Sequence, residues 1–294
     1  MSDLPTALAF LGIQEPFDAA AVAVLPVPYD LTTTYQPGAR FGPRAILTAS
    51  HDVELFDEEL RWDPSRAGIH TLQPLAPLAA GPEAMIERIR ERVGETFVAG
   101  KLPVILGGDH SISIGVFEAL ARHWEHPWVL QLDAHADLRD SYQGTRFSHA
   151  CVMARAREHF DCVQVGIRSW SEEEDAALWE APERIVTASE VGQDLQAALD
   201  KIDEALGDPV YITIDVDCLD SSIMPATGTP EPGGLSWREC IAILRLVAAR
   251  RHIVGFDVSE LSPIPGFIAP DFLAARLTTK MIGYIFHARQ AAGG

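Results

Sequence analysis

The composition of the chain is that of a soluble globular protein with a large core. Its 294 residues are 47% hydrophobic and 22% charged, with no low-complexity tract or internal repeat. The formal net charge of −19 argues against binding to nucleic acid or to anionic membrane surfaces, because both ligands require Lys and Arg. The charge is compatible with a cationic ligand, although an acidic surface that only keeps the protein in solution explains it equally well.

Neither the amino-terminal residues nor the cysteines indicate export from the cell. Residues 1–16 carry acidic side chains and no basic stretch, and no uninterrupted apolar run reaches the roughly 18 residues of a membrane-spanning helix. We therefore expect a cytoplasmic protein. The long, irregular spacing of the cysteines fits neither a disulfide framework nor a zinc ribbon and predicts buried free thiols. They are Cys151, Cys162, Cys218 and Cys240.

Apolar runs that suit buried strands alternate along the chain with segments that suit helices. In chain order we predict a strand at 21–27, helices from 42 and at 82–100, a strand at 102–106, a helix at 112–124, a strand at 128–132, a helix from 149, a strand at 162–167, a helix from 171, a strand at 209–214, a helix after a capping box at 236–239, a strand at 252–258 and a helix at 272–286. This alternation predicts right-handed βαβ units, and hence an α/β protein with a mainly parallel sheet covered on both faces.

Three potential metal ligands, Asp133, His135 and Asp137, follow the strand at 128–132. Side chains two residues apart on an extended chain point the same way, so these three converge if the intervening alanines turn away. Ionisable groups clustered beside an apolar strand need a partner. A metal site is therefore favoured over the alternative of a few solvated polar residues at a strand end.

Other predicted strands end in the same kind of residue. His110 follows the strand at 102–106 after a glycine pair that permits a tight turn. Asp215 and Asp217 follow the strand at 209–214, and Glu260 follows the strand at 252–258. His149 comes after a polar loop that is long enough to fold back over these residues, and it is therefore a candidate for acid or base catalysis.

The carboxyl ends of parallel strands lie along one edge of a sheet, so all these groups are expected to converge there. Crowded carboxylates repel one another unless cations neutralise them. Six ligands that are mostly oxygen suit two divalent ions with a shared aspartate better than one tetrahedral zinc, and they point to Mn²⁺. They are His110, Asp133, His135, Asp137, Asp215 and Asp217. A metal pair of this kind indicates a hydrolase, and the lack of a basic phosphate cradle disfavours phosphoesters.

Eight motifs, in the same order along the chain, resemble the ureohydrolase family, which includes arginase and agmatinase. They are VLPVPYD (24–30), PGARFGPR (37–44), GGDHS (107–111), DAHAD (133–137), SH (148–149), DVDCLD (215–220), GTPEPGG (228–234) and GFDVSE (255–260). The resemblance covers nearly the whole chain. It implies one ureohydrolase domain over residues 1–294, with three α/β/α layers around a mainly parallel eight-stranded sheet.

The resemblance also implies a reaction and a role for each residue. Two Mn²⁺ ions per subunit would activate water to split a guanidino group into urea and an amine. Asp137 would help orient the attacking group, Glu260 would pair with the guanidinium, and His149 would move protons to the leaving amine. One ion would be held by His110, Asp133, Asp137 and Asp215, and the other by Asp133, His135, Asp215 and Asp217. The family also implies a homotrimer or homohexamer.

Within the family, the sequence resembles the agmatinase branch. The stretch at 137–149 lacks the Asn-rich loop with which arginases hold the amino acid end of arginine, and the GTPEPGG motif is typical of agmatinases. We therefore expect agmatine as substrate and putrescine as product. Ser221 replaces a common proline and Ala150-Cys151 replace a common glycine-containing pair, which leaves room for N1-aminopropylagmatine, giving spermidine, or for guanidinobutyrate or arginine.

Two readings from other classes remain as alternatives. A zinc deacetylase of similar fold needs a single-metal ligand set, so the additional His110 and Asp217 argue against it. A metal-binding pseudoenzyme would be expected to lack a ligand or an acid/base residue, and none is missing here.

Overall fold

One parallel sheet of eight strands runs through this computed structural model, which describes residues 8–293 of the chain. The strands lie in the order β2-β1-β3-β8-β7-β4-β5-β6, and every neighbouring pair is parallel. Their bounds are β1 Val22–Pro26, β2 Ile69–Thr71, β3 Leu102–Leu106, β4 Trp128–Leu132, β5 Cys162–Ile167, β6 Ile185–Thr187, β7 Val210–Asp215 and β8 Ile253–Ser259. The predicted α/β fold with an eight-stranded sheet is confirmed.

Helices cover both faces of the sheet. Their bounds are α1 Gly42–Ser50, α2 Pro82–Val98, α3 Ile112–His123, α4 Val152–Ala156, α5 Glu172–Leu178, α6 Ala188–Gln193, α7 Leu195–Ala205, α8 Trp237–Arg250 and α9 Ala269–Gly293. The predicted capping box before α8 is present: the backbone N–H of Ser236 donates to Glu239 at 2.7 Å, and the N–H of Glu239 donates to the Ser236 hydroxyl at 3.3 Å. These two bonds satisfy amide groups that the first turn leaves free and set where α8 begins.

The core is divided into two apolar clusters by the sheet. One cluster takes its helical residues from α1 and α6 to α9, and the other takes them from α2 to α5. Neighbouring strand residues contribute to opposite clusters, as Val104 and Ile105 of β3 do, because successive side chains of a strand alternate between its faces. The result is the three-layer α/β/α arrangement.

Several short elements were missed by the sequence prediction. The three-residue strands β2 and β6 are too short to show a period, and the helices α6 and α7 fall in a stretch for which no element was predicted. His70 is a buried member of β2. The last helix begins at Ala269 rather than at residue 272.

The four strands that precede the candidate ligands are direct neighbours in the middle of the sheet. Their order is β3-β8-β7-β4. The sheet therefore brings the carboxyl ends of these strands side by side, where His110, Glu260, the pair Asp215 and Asp217, and the residues after β4 meet.

Candidate metal centre

Two clusters of possible metal ligands share one aspartate. His110, Asp133 and Asp137 form the first cluster, and Asp133, His135 and Asp217 form the second. Within each cluster one ligand atom per residue lies within 4.8 Å of the others. Asp215 is adjacent, with its Oδ2 atom 3.5 Å from Nδ1 of His110. The structure thus brings together all six side chains that the sequence predicted as ligands.

The hydrogen bonds of His110 leave one ring nitrogen facing the carboxylates. Its Nε2 atom lies 2.8 Å from Oγ1 of Thr213, and the Thr213 hydroxyl donates to Oδ1 of Asp257 at 2.8 Å. Since that hydroxyl proton is directed to Asp257, Nε2 of His110 is the donor to Thr213. The lone pair of His110 therefore stays on Nδ1. A hydrogen bond that fixes the tautomer in this way is typical of metal-bound histidines.

The Nδ1 atom of His110 has the position of a ligand atom. It is buried and makes no hydrogen bond, although it lies 3.1 Å from Oδ2 of Asp133 and 3.2 Å from Oδ2 of Asp137. A lone pair directed at carboxylate oxygens is unfavourable unless a cation lies between them. The donor set of this cluster therefore fits a divalent metal ion.

The second cluster is less enclosed. Nδ1 of His135 lies 3.0 Å from Oδ2 of Asp217 and 3.6 Å from Oδ1 of Asp133. The His135 side chain is 25% exposed, whereas the Asp217 side chain is 2% exposed. The amide of Gln131 donates to Oδ2 of Asp133 at 2.7 Å and orients the shared carboxylate from below. A second ion could be held here with one side open to solvent.

Turns, rather than an extended chain, bring the ligands together. The prediction from alternation is wrong in this respect, because β4 ends at Leu132 and Asp137 has a φ of 54°. Asp217 likewise lies beyond β7, in the 3-10 helix Val216–Cys218. Alternation requires an extended backbone, which these residues do not have.

The ligands themselves hold these turns in place. Oδ1 of Asp217 accepts a hydrogen bond from the N–H of Ala134 at 3.0 Å, and Oδ1 of Asp215 accepts one from the N–H of Asp217 at 2.9 Å. The main-chain carbonyl of Asp137 accepts hydrogen bonds from the N–H groups of Met153 and Ala154. Each of these aspartates thus fixes backbone as well as offering a carboxylate oxygen.

The crowding of charges is visible in the protonation of the ligands. Burial, assisted by the Asp133 carboxylate, raises the pKa of Asp137 to about 7. Burial and the charges of Asp217 and Asp133 hold the pKa of Asp215 well above its usual range. Burial opposes the charging of His135, yet Asp217 and Asp133 raise its pKa to about 12. Protons occupy these groups when no cation does, and metal binding would release them.

Glu260 is held at the edge of the cleft with one oxygen free. It has a φ of 65°, its N–H donates to the carbonyl of Gly108 at 2.8 Å, and its Oε1 atom accepts the N–H of His110 at 2.7 Å. Its Oε2 atom lies beside Gly228, where an added Cβ would be 3.7 Å away. Burial and the charge of Asp109 hold the pKa of Glu260 well above its usual range, so the carboxylate favours a cationic partner.

His149 lines the same cleft as Glu260 and the two clusters. It begins the 3-10 helix His149–Cys151, and its Nδ1 atom lies 3.3 Å from the hydroxyls of both Thr32 and Ser148. Burial lowers the pKa of His149; Asp109 opposes this effect, and His135 and His110 add to it. Ser148 directly precedes this helix but makes no capping hydrogen bond to it.

An outer groove of about 260 Å³ continues from the cleft toward solvent. It shares His135, Asp137 and His149 with the cleft and adds the side chains of Tyr142 and Trp170. The sequence analysis did not identify Tyr142 or Trp170, because neither stands in a metal-ligand pattern. This groove is the space available to the part of a substrate that lies beyond the reacting group.

Apart from the proposed ligands and His149, the charged side chains that line the outer groove are Arg139 and Glu174. The guanidinium of Arg139 lies 3.3 Å from Glu173 and 3.9 Å from Glu174, so its charge is already balanced. Glu174 accepts hydrogen bonds from the backbone N–H groups of Leu138 and Ser171. Glu231 accepts a hydrogen bond from the Ser169 hydroxyl at 3.1 Å.

Two further expectations can be compared with the structure. All four cysteines are buried and free, as predicted. Within residues 8–293, no helix is long and apolar enough to cross a membrane.

Comparisons with known proteins show the family to which the chain belongs. A model of the arginase family matches residues 20–283. The N(1)-aminopropylagmatine ureohydrolase of Thermus thermophilus is 41% identical over 277 residues, which is 94% of each chain. That of Synechocystis is 37% identical over 90% of this chain and 89% of its own length. The agmatinase of Pyrococcus horikoshii is 36% identical over 88% of this chain and 90% of its own length.

Solved structures show the same relationship in three dimensions. The agmatine ureohydrolase of Thermoplasma volcanium superimposes with a TM-score of 0.85 at 27% identity, covering 99% of this chain and 96% of its own. Proclavaminate amidino hydrolase from Streptomyces clavuligerus superimposes with a TM-score of 0.88 at 28% identity and covers 98% of each chain. Since the agreement extends over nearly the full length in both sequence and fold, the chain belongs to the arginase family of metal-dependent ureohydrolases.

Proposed function

We propose that the protein hydrolyses the guanidino group of agmatine to urea and putrescine with two Mn²⁺ ions. One observation carries this proposal: the free oxygen of Glu260 lies beside Gly228 in the same cleft as both ligand clusters. A planar cation placed there pairs with a carboxylate on one side and meets the metal ligands on the other. A guanidinium has that shape and charge.

We assign one ion to His110, Asp133, Asp137 and Asp215, and the other to Asp133, His135, Asp215 and Asp217. The set of four carboxylates and two imidazoles is rich in hard oxygen donors, which favours Mn²⁺ over zinc. When bound, the two metal ions would supply a Lewis acid and an activated water.

The protein side chains divide the remaining tasks. Glu260 binds the guanidinium and fixes its plane. Asp137, whose backbone φ of 54° and carbonyl contacts hold it rigidly, orients the attacking water. His149 delivers a proton to the amine that leaves. Because burial lowers its pKa, the ring is neutral beforehand and takes this proton from the attacking water.

The charge of the outer groove supports a substrate with an amine tail. Arg139 is paired with Glu173 and Glu174, and Glu231 adds a further carboxylate beside Ser169. A terminal ammonium is attracted to this surface, whereas the carboxylate of arginine or guanidinobutyrate is repelled by it. Amine-tailed guanidines are therefore preferred.

A second candidate substrate, N1-aminopropylagmatine, is favoured by the size of the groove. Its volume of about 260 Å³ lies beyond the cleft and leaves space for an additional aminopropyl arm. Ala150, one of the departures from the common agmatinase sequence, lines this groove. Relatives from Thermus thermophilus and Synechocystis carry the name of that activity.

Urea release from a panel of substrates tests the proposal. Protein loaded with Mn²⁺ is expected to act on agmatine or aminopropylagmatine and to be inactive after metal removal, with two ions per chain by elemental analysis. Preference for arginine would contradict the assignment of an amine tail. The panel consists of agmatine, N1-aminopropylagmatine, arginine and guanidinobutyrate. Release of no urea from any of these four compounds, with two metals bound, would contradict the proposed reaction.

We also propose that the single domain over residues 1–294 assembles into a homotrimer or homohexamer. Large apolar side chains stand exposed around a groove between α1 and residues 263–272, among them Phe41 at 62% exposure and Ile268 at 74%. Apolar patches of this kind are typical of subunit interfaces. Light scattering on a sizing column measures the mass, and a monomer at micromolar concentration would contradict this assembly.

A further inference from the structure

Thr32 connects a buried carboxylate with the candidate catalytic histidine. It lies in the loop after β1, and its Oγ1 atom lies within hydrogen-bonding distance of three groups. The hydroxyl donates to Oδ2 of Asp109 at 2.8 Å, and Oγ1 accepts the backbone N–H of His149 at 3.0 Å. Its third neighbour is Nδ1 of His149, at 3.3 Å.

The two oxygens of Asp109 accept four hydrogen bonds. Oδ2 accepts both the N–H and the hydroxyl of Thr32, and Oδ1 accepts both the N–H and the hydroxyl of Ser111. The two backbone N–H groups can act only as donors, so each oxygen of Asp109 is an acceptor. The hydroxyl hydrogen of Thr32 is directed at Asp109.

This direction fixes the proton on His149. Because the only hydrogen of the Thr32 hydroxyl points to Asp109, the hydroxyl oxygen acts as an acceptor toward His149. The contact with Thr32 therefore favours a hydrogen on Nδ1 of His149, and the Ser148 hydroxyl, at the same distance of 3.3 Å, can also accept it. The opposite nitrogen, Nε2, is left for the cleft that His149 lines.

We propose that Thr32 is a positioning residue for the ureohydrolase reaction: backed by Asp109, it holds His149 as the Nδ1–H tautomer, so that the lone pair of Nε2 faces the cleft. There Nε2 takes up a proton from the attacking water and passes it to the leaving amine. This proposal depends on the proton-transfer role given to His149 in the proposed function. Thr32 is not among the residues that line the cleft.

The geometry predicts which property of the enzyme changes when Thr32 is altered. Guanidinium binding depends on Glu260, and metal binding depends on the ligand clusters, so neither requires Thr32. Proton transfer to the leaving amine occurs after binding. Loss of the Thr32 hydroxyl should therefore lower kcat and leave KM and metal content unchanged.

The test compares two variants of nearly the same size. Thr32→Val removes the hydroxyl and keeps the shape, and Thr32→Ser keeps the hydroxyl. We expect Thr32→Val to lower kcat by about 10²-fold, within the range of a lost general acid, with KM within about twofold. Thr32→Ser should recover most of the wild-type kcat. Full activity of Thr32→Val, or loss of its metals, would overturn the proposal.

The same substitution in a His149→Ala background separates positioning from a general structural role. If Thr32 acts through His149, Thr32→Val adds no further loss there. A loss of equal size in both backgrounds would show that Thr32 supports the site in another way and would overturn the proposal.

The protonation state of His149 can be measured without any turnover. In Zn²⁺-loaded protein labelled with ¹⁵N-histidine, two-bond ¹⁵N–¹H correlation spectra should show the Nδ1–H form of His149, identified by its absence from the His149→Ala spectrum. An Nε2–H signal would overturn the proposal. Because this reading does not depend on the substrate, it stands apart from the urea assay on which the proposed function depends.

Discussion

Two hydrogen-bond chains, each made of an Asp, a Thr and a His side chain, reach the cleft, and they are built differently. The hydrogen-bond chain of Asp257, Thr213 and His110 is anchored in the sheet, where Thr213 of β7 and Asp257 of β8 are paired residues. The hydrogen-bond chain of Asp109, Thr32 and His149 joins segments that follow three different strands. In both, an aspartate accepts a hydrogen bond from the threonine hydroxyl, so the threonine oxygen accepts a hydrogen bond from the histidine.

The difference between them matches the tasks of the two histidines. Strand register holds the first chain, and each of its side chains is at most 1% exposed. A proposed metal ligand thus depends on the most rigid part of the fold. The second chain depends on how loops pack, with Thr32 8% exposed and His149 only partly buried. Contacts between loops adjust more easily than strand pairing, which suits a group that transfers protons to different substrates.

The largest loss of activity is expected when the hydrogen-bond chain in the loops loses its histidine. His149→Ala should lower kcat for urea release by about 10²- to 10⁴-fold, because the leaving amine then lacks a positioned acid. Both metals should remain, since His149 is not among the proposed ligands. Elemental analysis of the variant provides the control. Full activity would remove His149 from the mechanism.

A smaller effect, on metal affinity, is expected when a hydrogen bond of the chain in the sheet is removed. Thr213→Val keeps the side-chain volume but leaves Nε2 of His110 without an acceptor, so the ring loses its fixed orientation. Metal affinity should fall by about 10- to 100-fold, as it does when such supporting hydrogen bonds are removed. Titration with Mn²⁺ measures this, and activity at saturating Mn²⁺ should largely return. Unchanged affinity would contradict the role given to Thr213.

The smallest effect on the reaction is expected from a charged pair outside the cleft, which should change only the stability of the fold. Lys280 of α9 donates to Oδ2 of Asp57 at 2.9 Å, and both side chains are buried. Although burial raises it, hydrogen bonds from Leu60 and Lys280 hold the pKa of Asp57 below its usual value of 3.8. The carboxylate thus contributes stability above the pKa of the unfolded chain, and this contribution disappears as the pH falls through the lower folded value.

Thermal unfolding of Lys280→Met measures this contribution. The variant should melt below the wild type at neutral pH, and the difference should shrink as the pH falls below the usual aspartate range. Metal affinity and kcat should not change, which separates this pair from both chains in the cleft. Lys101→Met is the matched control, because Lys101 contacts the carbonyl of Asp18 rather than a carboxylate. A constant difference in Tm at all pH values would exclude the pairing as its cause.

The sequence predicts the fold, and the convergence of the candidate ligands, for a common physical reason. Each candidate ligand follows an apolar strand, and strand ends in a parallel sheet meet at one edge. The local geometry was beyond such reasoning: Asp137 and Asp217 converge through turns that alternation does not describe.

Partners distant in sequence were also beyond it. The contact between Thr32 and His149 spans 117 residues, and that between Thr213 and His110 spans 103. Such contacts arise from loop packing and from the order of strands in the sheet, and neither can be obtained from residue spacing. Trp170 and Tyr142 of the outer groove belong to the same class.

The main-chain carbonyl of Asp137 has a consequence for how this enzyme can evolve. It binds the first turn of α4, and the N–H of Arg139 binds the carbonyl of Ala150, so both ends of the segment at 138–150 are fastened to each other. Insertions, deletions or exchanges at residues 140–147 of that segment leave the anchored ends and His149 where they are. New tail lengths and charges can therefore be accommodated by rewriting one surface loop while the hydrolytic chemistry is inherited intact.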